Sequence, residues 1–150
     1  MIQRIQHLYF GFVIINLSIL LSGIQLCAYE AIGMPHQLNA FDIRHGKEVI
    51  MLFPLYLAVI LLMLLFLAII SQYKKLKLQI KLAKITFLCY LFFVLGITAV
   101  FIAGWLPNAP SNLTLGFGYY LLILGLPFTY LGLRGIIRDK NLLDSYNRLR

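Results

Sequence analysis

Residues 73–84 read Tyr-Lys-Lys-Leu-Lys-Leu-Gln-Ile-Lys-Leu-Ala-Lys, with Lys74, Lys75, Lys77, Lys81 and Lys84 crowded into one short stretch. An uncharged apolar run precedes it, Val49 to Ser71, and another follows, Ile85 to Trp105. Lipid hydrocarbon rejects lysine, so the stretch has to lie in water or among headgroups. Clusters of this kind favour the anionic cytoplasmic leaflet. The middle of the chain therefore reads as two membrane spans joined by a cytoplasmic basic turn. The segment from Leu55 to Leu95 holds no glycine or proline, so the lysine stretch itself has to make that turn.

Of the 150 residues, 61% are hydrophobic and only 12% charged, which sets the chain apart from ordinary soluble domains. The excess falls in four blocks, the pattern of a polytopic membrane protein. A net charge of +8 raises the question of nucleic acid. The charges flank apolar runs instead of lining a basic groove interleaved with aromatics, so no nucleic-acid partner is expected. Cys27 and Cys89 stand alone, with no Cys-x-x-Cys for redox or zinc chemistry.

Taken in order, Leu8 to Cys27 reads as a first span, an uncleaved anchor about 30 Å long. A polar loop over 28–48 follows, then a second span over 49–72 with Pro54 in its first turns. The third span covers 85–105. A proline-rich turn, Leu106-Pro-Asn-Ala-Pro-Ser-Asn112, leads to a fourth over 113–133, and a basic tail covers 134–150. Eleven of the thirteen basic residues fall at one end under this reading; Arg44 and Lys47 alone fall at the other. That asymmetry places both termini in the cytoplasm. Tyr29, Phe41, Trp105, Tyr119 and Tyr120 form an expected outer aromatic belt, and Tyr9, Tyr73, Tyr90 and Tyr130 an inner one. The fold expected is all-α: one integral-membrane four-helix bundle over 1–150, with a short amphipathic cytoplasmic helix at the C-terminus.

The fourth span carries Gly118, Gly125 and Gly132 seven residues apart, with Thr129 beside them. Such a face lets a neighbouring backbone approach closely. It is the expected helix-packing interface, and Pro127 is expected to kink the helix there. In the tail, Leu142, Leu143, Tyr146 and Leu149 form one apolar stripe. Lys74, Lys75, Lys77, Lys81, Lys84, Arg138, Arg148 and Arg150 are the expected contacts to lipid headgroups or a partner.

The two ends of the chain, Met1-Ile-Gln-Arg-Ile-Gln6 and Leu133-Arg-Gly-Ile-Ile-Arg-Asp-Lys-Asn-Leu-Leu-Asp-Ser-Tyr-Asn-Arg-Leu-Arg150, carry a resemblance. With four spans in this length, the chain resembles domain-of-unknown-function family 4293, small inner-membrane proteins of the Bacteroidota. The resemblance implies a cytoplasmic-membrane location and four helices, and no activity.

The residues disfavour most chemistries open to a four-span protein. A quinone-coupled disulfide enzyme needs paired cysteines, whereas Cys27 and Cys89 are expected about 20–25 Å apart along the membrane normal. Haem needs histidines inside the spans, and His7, His36 and His45 are read outside them. Proton coupling needs an intramembrane carboxylate, and all five acids are read in loops or tail. His36, Asp42, His45 and Glu48 are the only candidates for a divalent metal, and no short ligand spacing supports them over a solvated loop. Asn16, in the middle of span one, is the polar side chain expected deepest in the bundle. The expectation is no enzyme and no cofactor. The chain reads as an accessory or structural subunit that meets a larger membrane protein, or a second copy, through the glycine face. The alternative is a small transporter or lipid-handling protein with a cavity between spans one and four.

Overall fold

A computed structural model describes residues 3–31, 34–45, 48–52, 55–73, 75–104, 106 and 112–148. Among them, helix α1 spans Gln3–Leu21, α2 Leu55–Ser71, α3 Leu76–Ile102 and α4 Phe117–Arg148. Their inward residues recur at alternating spacings of four and three. In α1 they are Gln6, Phe10, Val13, Leu17 and Leu20; in α2, Leu55, Val59, Leu62, Phe66 and Ile69. In α4 they run Gly118, Leu122, Gly125, Thr129, Gly132, Ile136 and Asp139. This spacing keeps one seam of each helix facing its neighbours.

The seams pair into a closed ring: α1 packs on α2 and α4, and α3 packs on α2 and α4. Consecutive helices are antiparallel. Phe10 near the start of α1 meets Phe66 near the end of α2, with ring centroids 6.0 Å apart. Gln79, in the first turns of α3, donates to the Ile69 carbonyl at 3.2 Å. Phe101 at the end of α3 packs against Tyr119 at the start of α4, ring centroids 5.5 Å apart and tilted at 52°. The α1–α2 and α3–α4 connections therefore share one end of the bundle, and the α2–α3 connection lies at the other.

The shared end is not a loop but a sheet, and the all-α expectation is corrected here. Strands β1 (Cys27–Ala31), β2 (Met34–Leu38), β3 (Asp42–His45), β4 (Glu48–Leu52) and β5 (Asn112–Leu115) pair antiparallel in the order β4-β3-β2-β1-β5. Alternation drives the inner strands: Tyr29, His36 and Leu38 are buried while Glu30, Pro35 and Gln37 are exposed. Ala31 pairs with Met34 and His45 with Glu48, so two residues, each pair containing a glycine, separate the strands of each hairpin. β5 comes from the other connection and pairs with β1, tying the two halves of the chain together.

The sheet also redraws the boundaries. The first helix stops at Leu21, and Gly23 turns the chain with φ +90°. The apolar run Val49–Leu52 belongs to β4, where it pairs with β3. Helix α2 ends at Ser71 and α3 begins at Leu76, so Lys77, Lys81 and Lys84 ride on α3. The tail is no separate helix: α4 runs without a break to Arg148. Among the described residues, two helices, α3 and the Phe117–Ser145 part of α4, are long and apolar enough to cross a membrane. The apolar stretches of α1 and α2 hold 17 residues each, about 26 Å.

What closes the ring is the small-residue face of α4. A Cβ at Gly132 would lie 2.7 Å from the Phe10 ring, and one at Gly135 would lie 2.8 Å from the Gln6 side chain. At Gly125 a Cβ would collide with the Tyr90 hydroxyl. That hydroxyl donates to the Leu122 carbonyl at 2.8 Å, beside the turn that Pro127 interrupts. Thr129 donates to the Gly125 carbonyl at 2.8 Å and stays fully buried. Replacing Gly125 by Leu should therefore destabilise the folded chain in detergent by at least about 1–3 kcal/mol. Leu61→Phe, on the exposed face of α2, should change stability by less than about 0.5 kcal/mol, as surface substitutions usually do. Thermal unfolding of the two variants measures the difference.

Candidate functional site

Beneath the sheet the ring opens into one apolar crevice. Leu38 of β2 forms its roof and Leu55, the first residue of α2, one wall. Phe92, Phe93, Gly96, Ile97, Val100 and Phe101 of α3 form the other, around a volume of about 310 Å³. Gly96 borders open space: a Cβ there would meet nothing within 4 Å. Gly96 and Phe92 are exposed, so the crevice is open along α3. No lining side chain carries a charge or a hydrogen-bonding group. Its chemistry is therefore to receive an apolar body, a hydrocarbon chain or the side chains of another helix.

The residues singled out for a metal do not assemble. His36 is buried and stacks on Tyr29, ring centroids 5.2 Å apart. Asp42 is clamped by Arg44, with Nε to Oδ1 at 2.8 Å and Nη2 to Oδ2 at 2.7 Å, and also accepts from the Asn39 amide at 3.3 Å. Glu48 is exposed, and the side chain of His45 lies outside the described residues. Among the described residues, no three His, Cys, Asp or Glu form a metal-holding group. The Arg44 hydrogen bonds hold the Asp42 carboxyl below the usual carboxylate range. Cys27 is buried in β1, and burial pushes its thiol up to about 12, far from a reactive thiolate.

The glycine face is occupied from within. Gly118 abuts Leu20 of α1 and the Gln25 carbonyl, Gly125 abuts Tyr90, and Gly132 abuts Phe10. The expectation that Gly118, Gly125, Thr129 and Gly132 receive a partner is corrected, because α1 and α3 already fill that face. The same packing closes the space between α1 and α4 where a cavity was expected. Lys75, Lys77, Lys81 and Lys84 are exposed on and just before the first turns of α3, and Arg138 is exposed on α4. Lys74, Trp105, Arg150 and the side chain of Arg148 lie outside the described residues.

The model of a domain of unknown function, DUF4293, matches residues 2–149. The chain belongs to the DUF4293 family. No curated protein matches it.

Several polar positions of this DUF4293 chain differ from the sequence reading. Asn16 is only half-buried, whereas Gln6, Gln79, Thr86 and Asp139 are buried. Asp139, read as a tail residue, sits in the α1–α4 seam and accepts a hydrogen bond from Gln6. Tyr90, read as an inner-belt residue, is fully buried in the core, and Tyr29 is buried in the sheet. For Gln6, Gln79, Thr86, Tyr90 and Asp139 the signal was present: they lie at the spacing of the inward helix seams, the face where polar side chains are tolerated.

Two outcomes follow. Cys27 should resist alkylation in the folded chain while unfolded chain reacts. Because the folded pKa of Asp42 is lowered, its pairing with Arg44 stabilises the sheet above the unfolded value of about 3.9 and is lost as pH falls through the lowered folded value. The Tm gap between the wild-type chain and Asp42→Asn should thus be full near pH 6 and vanish toward about pH 2.

Proposed function

We propose that this chain is a four-pass protein of the inner, cytoplasmic membrane, with the lysine end and both termini in the cytoplasm and the sheet on the outer side. We infer that it works as a non-catalytic accessory subunit, docking an apolar helix of a larger membrane protein into the α2–α3 crevice. The alternation of the four helices supports four passes, since a ring in which α3 and α4 span leaves α1 and α2 spanning beside them. Their 17-residue apolar stretches reach the lower end of the length a spanning helix needs. The basic excess at the α2–α3 end supports the orientation.

Gly96 carries the docking reading. Gly118, Gly125, Gly132 and Gly135 spend their close approach inside the chain, while Gly96 keeps its own free beside an apolar groove. Small residues on an open face are where spanning helices meet. The unbroken apolar lining favours one second reading: a lipid-handling protein that holds a hydrocarbon chain in the same crevice.

Gly96→Leu separates these readings without disturbing the fold, because the added side chain enters open space. Mild-detergent purification of the wild-type chain should bring down a stoichiometric partner protein, and Gly96→Leu should lose it at unchanged Tm. A partner retained by Gly96→Leu removes the crevice as the docking face. Bound lipid alone, displaced by Gly96→Leu, replaces the subunit reading with the lipid one. For topology, cysteine placed at Gln37 should react with a membrane-impermeant thiol reagent in whole cells, and cysteine at Lys77 or Asn141 should not. All three positions are exposed, whereas Gln79 is buried and unsuitable for labelling.

A further inference from the structure

At the end opposite the sheet, the first turn of α3 and the last turns of α4 form the walls of a second groove of about 520 Å³. Lys75 and Lys77 stand on one wall, Lys140 on the other, with Asp144 beside it. Leucines sit between the charges: Leu78 is 42% exposed and Leu143 is 47% exposed. Three cations against one anion, with Lys77 and Lys140 63 residues apart in sequence, leave a net positive cleft with apolar sides. The continuity of α4 through Ser145 makes this possible, because it carries Lys140 and Leu143 out beside the start of α3.

We propose that this groove binds one anionic phospholipid, its phosphate held among Lys75, Lys77 and Lys140, its glycerol backbone against Leu143 and its acyl chains running past Leu78 toward the bundle. The chemistry fits both halves of such a molecule. Ammonium groups attract phosphate, and exposed leucine at the level of the headgroups gains by covering hydrocarbon. A small soluble anion would use the lysines and leave the leucines exposed. A neutral phospholipid would leave the excess positive charge uncompensated. Lys81 and Lys84 lie outside the groove, so they contribute to the general surface charge and not to this site. The proposal rests on the cytoplasmic-membrane reading for its biological setting, but not on the Gly96 crevice at the other end of the bundle.

Native mass spectrometry of the full chain in mild detergent tests it, with phosphatidylglycerol, phosphatidylcholine of matched acyl chains, or inorganic phosphate added. One phosphatidylglycerol should bind per chain in preference to phosphatidylcholine. Combining Lys75→Gln, Lys77→Gln and Lys140→Gln should weaken it on the order of 100-fold, about fivefold for each lysine. Lys81→Gln with Lys84→Gln should change it by less than about fivefold. Asp144→Asn removes the opposing charge and should tighten binding, a gain that misfolding cannot produce. Unchanged binding in the triple variant, or weaker binding in Asp144→Asn, overturns the site. Displacement of the lipid by millimolar inorganic phosphate overturns the lipid in favour of a free anion. None of these outcomes changes whether Gly96→Leu releases a partner protein, so the two readings fail separately.

Discussion

Phe10 lying where Gly132 has no side chain is the contact on which the ring of helices depends. A β-carbon on residue 132 would sit 2.7 Å from that ring, so glycine is what lets α1 and α4 approach at this level. The same device repeats along α4. Gly135 receives Gln6, and Gly125 receives the hydroxyl end of Tyr90 from the other side. One helix thus accepts side chains from both neighbours, and α2 closes the ring against α1 and α3. In the four-pass arrangement we propose, hydrocarbon would offer little hydrophobic drive for helix association, and close packing and interhelical hydrogen bonds would have to supply it. The hydrogen bonds sit at both ends and in the middle: Gln6 with Asp139, Gln79 with the Ile69 carbonyl, Tyr90 with the Leu122 carbonyl, and Thr98 with Tyr119. Each contributes about 0.6 kcal/mol on average.

Two of the openings this interior leaves differ in kind. The crevice at Gly96 is apolar and lies under the sheet. The groove at Lys75 and Lys140 is charged and lies at the opposite end. The sheet contributes to the first directly, since Leu38 forms its roof. It also holds the two connections in register, with Asn112 donating to Glu30 at 3.1 Å and Thr114 to the Ala28 carbonyl at 3.2 Å. The Asn-Leu-Thr run at 112–114 thus has a structural use between strands.

The four helices, the reversal at the lysine stretch and the importance of Gly118, Gly125 and Gly132 were legible in the sequence. What filled the glycine face was not. Phe10 and Tyr90 are aromatic residues among many in apolar runs, and only the seam spacing distinguishes them from exposed ones such as Phe92. The sheet was hidden for a different reason. Val49–Leu52 joins the apolar run of α2 without a polar break, so a strand and a helix read as one span. The alternation in Tyr29, His36 and Leu38 was visible, but the polar residues between them suggested a solvated loop. Gly96 offered no signal by itself, because its meaning comes from the apolar groove beside it and from the α4 glycines being occupied.

The claim that the glycine face is filled from within the chain is tested most directly by a double-mutant cycle between Phe10 and Gly132. Unfolding of the chain in detergent is measured for Gly132→Ala, Phe10→Leu and the combination. If Phe10 lies against residue 132, alanine there is costly beside phenylalanine and tolerated beside leucine. The cycle should then give a coupling of at least about 0.5–1 kcal/mol, with the double variant more stable than the sum of the single effects allows. Additive effects, with Gly132→Ala equally costly in both backgrounds, would contradict the account.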